Sequence, residues 1–94
     1  MAKRMTASSG NIFLDLGFAP HEAKVMLLRA QVAEALRGWM EREKLTQARA
    51  AKRLGVSQPR LSEIARGRVE LLSLDYLVGL CAKAGLRVAV RLAA

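Results

Sequence analysis

Residues 45–67 read Leu45-Thr46-Gln47-Ala48-Arg49-Ala50-Ala51-Lys52-Arg53-Leu54-Gly55-Val56-Ser57-Gln58-Pro59-Arg60-Leu61-Ser62-Glu63-Ile64-Ala65-Arg66-Gly67. Thr46 carries a hydroxyl that can accept from the free amides at a helix start, and the following residues favour a helix until Gly55. Gly55 can enter the left-handed backbone region that ends a helix, because it has no Cβ to clash. Ser57 offers a second cap, Pro59 is tolerated in a first turn that has no donors to lose, and Gly67 supplies a second stop. The spacing therefore predicts two short helices, over 47–54 and 57–66, separated by a tight turn. Steeply crossing helices need a small residue where they touch, and Ala51 provides it. Ala50, Leu54, Val56, Leu61 and Ile64 are the residues expected to close a small core between this pair and whatever precedes it.

Upstream, Pro20 and Glu22 suit a helix start, and Val25, Leu28, Val32, Leu36, Trp39 and Met40 recur at helical spacing up to residue 43. A long amphipathic helix over 20–43 is expected, with Gly38 inside it suggesting a close packing contact. Downstream, Ser73 and Asp75 open a helix over 74–84 whose buried stripe would be Leu74, Leu77, Val78, Cys81 and Ala84. Residues 86–92 then alternate, with Leu86, Val88, Val90 and Leu92 on one face and Arg87 and Arg91 on the other, which predicts a strand. A lone strand leaves its backbone groups unpaired. The economical partner is the same strand of a second copy across a two-fold axis, with Ile12-Phe13-Leu14 as the competing candidate. The strand residues Leu86, Val88, Val90 and Leu92 are thus the expected homodimer interface.

The chain of 94 residues accommodates one domain, placed over 11–94 behind a flexible polar tail over 1–10. Lys3 and Arg4 in that tail fit a loose terminus better than an arm reaching into a minor groove. A hydrophobic fraction of 52% argues for a folded chain, and the absence of any long apolar run argues against a membrane span. Cys81 is the single cysteine, so no disulfide can close within the chain, and a cytoplasmic setting is expected. No metal centre and no cofactor is expected, because no cluster of ligand residues occurs at metal spacing. An enzyme is disfavoured as well, since no nucleophile with its base, no paired carboxylates and no phosphate-cradling glycine loop can be found. His21 reads as an ordinary exposed histidine and Cys81 as a small buried hydrophobe.

The formal net charge of +8 gives the folded surface an attraction for polyanions. Nine of the sixteen basic residues fall between 36 and 68, namely Arg37, Arg42, Lys44, Arg49, Lys52, Arg53, Arg60, Arg66 and Arg68. Only Glu41, Glu43 and Glu63 oppose them there, a local net of +6. Ser57, Gln58, Pro59, Arg60, Ser62 and Glu63 lie on or near the exposed start of the helix over 57–66, the part of a recognition helix that reaches base edges in a major groove. Gln58 can pair bidentately with adenine, and Arg60 with guanine or with a phosphate. Double-stranded DNA is the expected partner. RNA fits less well, because an aromatic content of 4% leaves few platforms for stacking unpaired bases.

Through Thr46-Gln47, Ala51, Leu54-Gly55-Val56-Ser57-Gln58, Leu61-Ser62 and Arg66-Gly67, the sequence resembles the XRE (Cro/repressor) helix-turn-helix family. With residues 11–18 in front and Leu74-Asp75-Tyr76-Leu77 and the terminal strand behind, it is similar to the HigA-like antitoxin subgroup of toxin-antitoxin pairs. The resemblance implies an all-α, five-helix, lambda-repressor-like domain with its helix-turn-helix core over 46–67 and a C-terminal strand pairing across a dimer. It further implies a nucleoid-associated transcriptional regulator, a repressor, bound to a palindromic operator. In that frame Gln47 and Ser57 meet phosphates from helix starts, Gln58, Pro59 and Glu63 face bases, and Arg66 and Arg68 brace the flanking backbone. The chain departs from many relatives in having Arg49 where an acidic residue is common. A cation there opposes the helix dipole slightly, which a nearby phosphate offsets. A second reading makes the chain chiefly an interaction module that neutralises a small toxin protein, with residues 12–18 as the docking element. Against it stands the simpler expectation that this apolar segment, as a strand or turn, covers the protein's own core.

Overall fold

A computed structural model describes residues 10–93, so the tail expected over 1–10 lies outside the described residues except for Gly10. Five α-helices form the domain: α1 (Ile12–Asp15), α2 (Pro20–Arg42), α3 (Gln47–Leu54), α4 (Gln58–Ala65) and α5 (Leu74–Lys83). A single 3₁₀ turn, Val69–Leu71, links α4 to α5. The starts of α3, α4 and α5 follow from three hydroxyls. Thr46 Oγ1 accepts from the Arg49 amide at 3.1 Å, Ser57 Oγ from that of Arg60 at 3.2 Å, and Ser73 Oγ from that of Tyr76 at 3.2 Å. The Asp75 carboxyl is held below its ordinary pKa, first by a hydrogen bond with the Ser73 side chain.

Helix α2 is the platform. It packs against α5, α4, α1 and the 3₁₀ turn, while α3 packs on α4 and α5. The phase of its buried stripe differs from the expectation. Leu36, Trp39 and Met40 are buried as anticipated, but farther up the helix Ala23, Met26 and Ala33 turn inward. Val25 and Leu28 lie at the surface and Val32 is half-buried. Apolar side chains occur on more than one side of α2, and the side that α4, α5 and the 3₁₀ turn cover decides which are core. In α5 the buried set is Leu77, Leu80 and Cys81, with Leu74, Val78 and Ala84 only half-covered. Val69 and Leu72 of the link are buried too.

Between α3 and α4 the expected core forms. Ala50, Ala51, Leu54, Leu61 and Ile64 are all buried, and Val56 is half-buried against them. Gly55 has φ of 70°, which lets the chain reverse between the two helices. The Lys83 ammonium then donates to the carbonyl of Leu54 at 3.4 Å, tying the end of α3 to α5.

Residues 11–18 form a short helix and turn instead of a strand. Asn11 Oδ1 accepts from the amides of Phe13 and Leu14 at 2.9 and 3.3 Å, and Asn11 Nδ2 donates to the Ala23 carbonyl at 3.1 Å, so the segment is pinned to α2. Phe13 meets Phe18 edge-on at 5.9 Å and packs against the core.

The C-terminal segment differs, within the single chain, from the strand expected over residues 86–92. Residues 86–93 form no strand, and no strand occurs among the described residues. A ladder needs a second extended segment, and with 12–15 helical the single chain offers none. Leu86 instead completes the monomer, its amide donating to the Cys81 carbonyl at 2.8 Å and its side chain resting on the core. The rest of the segment runs beside α2 and α5, and together with Leu28, Val32, Leu74 and Val78 it lines a groove of about 600 Å³. Val90 and Leu92 are 82% and 91% exposed.

Gly38 likewise departs from its expected role. A Cβ there would meet only the flexible end of Arg42, at 3.3 Å, so no close packing requires the glycine. Gly38→Ala is accordingly expected to stabilise the domain by about 0.5–1 kcal/mol, by relieving the poor helix propensity of glycine. Gly55→Ala should cost about 1–2 kcal/mol, because its left-handed backbone then carries a Cβ. Urea unfolding followed by circular dichroism measures both, and a destabilised Gly38→Ala variant would contradict this account.

Candidate nucleic-acid interface

Once Leu61 and Ile64 are committed to the core, helical phase turns Pro59, Ser62 and Glu63 away from it. Ser57, Gln58 and Pro59 are exposed at its start, while Arg60, Ser62 and Glu63 are half-buried along its length. Gln58 occupies the first helical position, so its amide extends from the end of the helix. The residues expected at base edges thus share one helix and its cap, though they are not equivalent. Arg60 is engaged on both sides: its Nε lies 3.3 Å from a Glu63 carboxylate oxygen, and its guanidinium sits 5.4 Å from the centre of the Tyr76 ring.

The cations fall into three groups. Arg42 and Lys44 mark the end of α2, Arg49, Lys52 and Arg53 occupy the outer side of α3, and Arg66 and Arg68 follow α4; all seven are exposed. Arg49, Lys52 and Arg53 line a shallow cleft with Leu45, and Arg53 lies over the Trp39 ring at 5.4 Å. Gln47 is exposed at the first position of α3. Arg68 pairs with Glu70 at 3.3 Å. Arg37 is the exception to the basic cluster. It is paired with Glu34 and, at 2.8 Å, with Glu41, so its charge is answered within α2. The hydrogen bond from Arg37 holds the Glu34 carboxyl below its ordinary pKa, and the same bond raises that of Arg37.

Several of these contacts had no signature in the sequence. Tyr76 beneath Arg60, Trp39 beneath Arg53 and Lys83 on the end of α3 join residues 14 to 29 positions apart, and only the fold brings them together. The pairing of Arg37 was legible, since Glu34 and Glu41 stand three and four residues away on the same helix.

Little in the site suggests covalent chemistry. Burial pushes the Cys81 thiol above its ordinary pKa, which disfavours the reactive thiolate. Among the described residues no cluster of His, Cys, Asp or Glu could hold a metal ion, and no helix is long and apolar enough to cross a membrane.

Comparison with known proteins accords with this geometry. A family model described as a helix-turn-helix domain matches residues 12–93. Among solved structures, one described as a "Putative XRE Family Transcriptional Regulator" is similar at 29% sequence identity with a TM-score of 0.73, over 78% of this chain and 82% of its own. No curated protein matches the chain.

Lys44 gives the first test of the cation set. Its φ is 54°, the one positive value at a non-glycine position among the described residues, in a backbone region that costs about 1–2 kcal/mol for an L side chain. Lys44→Gly is expected to raise stability by about 1 kcal/mol while weakening the hold on a DNA duplex, with the loss disappearing at high salt. Melting curves and fluorescence anisotropy on the same sample separate the two effects. Unchanged affinity would remove Lys44 from the interface.

Proposed function

This chain belongs to the helix-turn-helix domain family, and we propose that it is a sequence-specific DNA-binding transcriptional regulator of the XRE kind, acting as a repressor on the nucleoid in the cytoplasm. The observation that carries the reading is the start of α4: Ser57, Gln58 and Pro59 are exposed while Leu61 and Ile64 bury the opposite side, inside the most basic part of the chain. A helix so placed enters a major groove, with Gln58, Pro59, Ser62 and Glu63 toward base edges. Gln47 and Ser57 meet phosphates at helix starts. Arg42, Lys44, Arg49, Lys52, Arg53, Arg66 and Arg68 supply the sequence-independent part of the affinity. The working unit is a homodimer on a palindromic operator, with two α4 helices about 34 Å apart in successive grooves. Support comes from residues 86–92, an apolar-alternating segment that pairs with no strand among the described residues, whose Val88, Val90 and Leu92 are exposed. Antiparallel pairing with the same segment of a second copy would satisfy its backbone and cover those side chains, with Leu86 at the root of the joint.

A second role as the autoregulating, HigA-like antitoxin of a small toxin is favoured by one feature of α1. Phe13 anchors the segment, yet Ile12 and Leu16 are 60% and 68% exposed, and Leu14 is exposed beside them. An apolar rim that covers none of the protein's own core suits a partner's surface.

For DNA, a duplex selected from a random pool should lose about 10³- to 10⁵-fold in affinity between 50 and 200 mM salt if six to ten phosphates are contacted. Gln58→Ala should relax preference at one base pair per half-site by about 1–3 kcal/mol. Mobility-shift titration reads both, and binding indifferent to salt and sequence would defeat the regulator reading. For the toxin, substituting Ile12, Leu14 and Leu16 with serine, in a protein that still folds and binds DNA, should abolish co-purification of the product of an adjacent gene. Retention of that product by the variant would clear α1 of the docking role.

A further inference from the structure

We infer that Arg60 is a clamp for the DNA sugar-phosphate rail, not a reader of bases, and that Tyr76 of α5 is the positioning residue that holds it there. The inference rests on the regulator reading above. At 3.6 residues per turn, Arg60 lies only about 40° around α4 from buried Ile64, whereas Pro59 and Ser62 lie about 140–160° from it. Arg60 therefore leaves the helix sideways, toward α5, while Pro59, Ser62 and Glu63 occupy the outward face. A helix seated in a major groove shows its outward face to base edges and its flanks to the rails.

The surroundings of Arg60 agree with that direction. Its Nε lies 3.3 Å from a Glu63 carboxylate oxygen, and its guanidinium carbon lies over the Tyr76 ring, 5.4 Å from the centroid, so the guanidinium is braced from two helices. The two Nη groups keep their donors, which suit phosphate oxygens. Beside them opens a hollow of about 360 Å³ bounded by Gly55, Val56, Ser57, Arg60 and Tyr76. Ser57 Oγ accepts from the Arg60 amide and so retains its own proton to donate into that space. The cation–π contact restrains an otherwise flexible side chain, so less freedom is lost when a phosphate arrives. Tyr76 is then the point at which α5, outside the two-helix unit, acts on DNA binding.

The test uses the full chain with two probes, a duplex selected from a random pool and a mixed-sequence duplex, titrated with salt. Arg60→Ala should weaken both probes by the same factor and reduce the salt slope by about 0.9 per protomer, with base preference unchanged. Tyr76→Leu should weaken both by about two- to five-fold, and Tyr76→Phe, which keeps a ring face, should restore most of the loss. In an Arg60→Ala background, Tyr76→Leu should cost nothing more, because Tyr76 acts only through Arg60. Altered base preference with an intact salt slope in Arg60→Ala would overturn the clamp. Additive losses in the double variant would overturn the positioning role of Tyr76. If Tyr76→Leu does not fold, the Arg60→Ala slope decides between rail and base, and Tyr76→Gln, with and without Arg60→Ala, decides the coupling. A wild-type chain that binds neither probe would sink the regulator reading and this inference together, an outcome distinct from a wild type that binds while the variants misbehave.

Discussion

The structure depends on burial of the inner faces of α3 and α4 against α2 and α5. Each of these two helices has eight residues, too few to be stable in water alone. They persist because Ala50, Ala51, Leu54, Leu61 and Ile64 are withdrawn from solvent beside Leu36, Trp39 and Leu77. Full burial of a leucine or isoleucine side chain contributes about 1.5–3 kcal/mol, whereas a hydroxyl cap contributes about 1 kcal/mol. Core burial therefore sets the rotation of each helix and the caps set its ends. Once the rotation is set, the functional face has no remaining freedom. The small size of Ala50 and Ala51 serves the same end by letting the two short helices approach where they cross.

That hierarchy explains what could be read from the sequence. In α3 and α4 the local signals coincide: hydroxyl caps, glycine stops and an apolar stripe all specify the same boundaries, and the observed helices differ from expectation by one residue at most. In α2 they do not coincide. Met26 and Ala33 compete with Val25 and Leu28 for the interior, and the choice is made by elements that arrive from elsewhere in the chain. Helix α1, with four residues, is barely one turn long, too short for a helical pattern to repeat, and is defined by the Asn11 cap instead. The terminal alternation of Val88, Val90 and Leu92 is a strand pattern, but pairing belongs to two segments at once, and one chain supplies only one of them.

The interface shows the same division. Residue type and position along α4 told which side chains face away from the core, since helical phase follows from the buried positions. Which direction Arg60 takes did not follow from type, because arginine can serve a guanine or a phosphate equally well. The deciding contact is with Tyr76, which stands sixteen residues away on another helix.

Charge counting alone likewise overstates the interface. Exposed ion pairs add little to stability, about 0–1 kcal/mol, but they change which cations are free to meet an anion. Arg37 is answered by Glu34 and Glu41 on its own helix, so its formal charge is largely cancelled where it stands. At physiological salt the field of an exposed charge fades within about 8 Å, so a cation matters only if the fold carries it close to the duplex. Exposed cations stand at the end of α2 (Arg42 and Lys44), on the outer side of α3 (Arg49, Lys52 and Arg53) and just after α4 (Arg66). The left-handed backbone at Lys44 fits this view. A glycine would end α2 with less strain, and a lysine at that turn trades that ease for a positive charge.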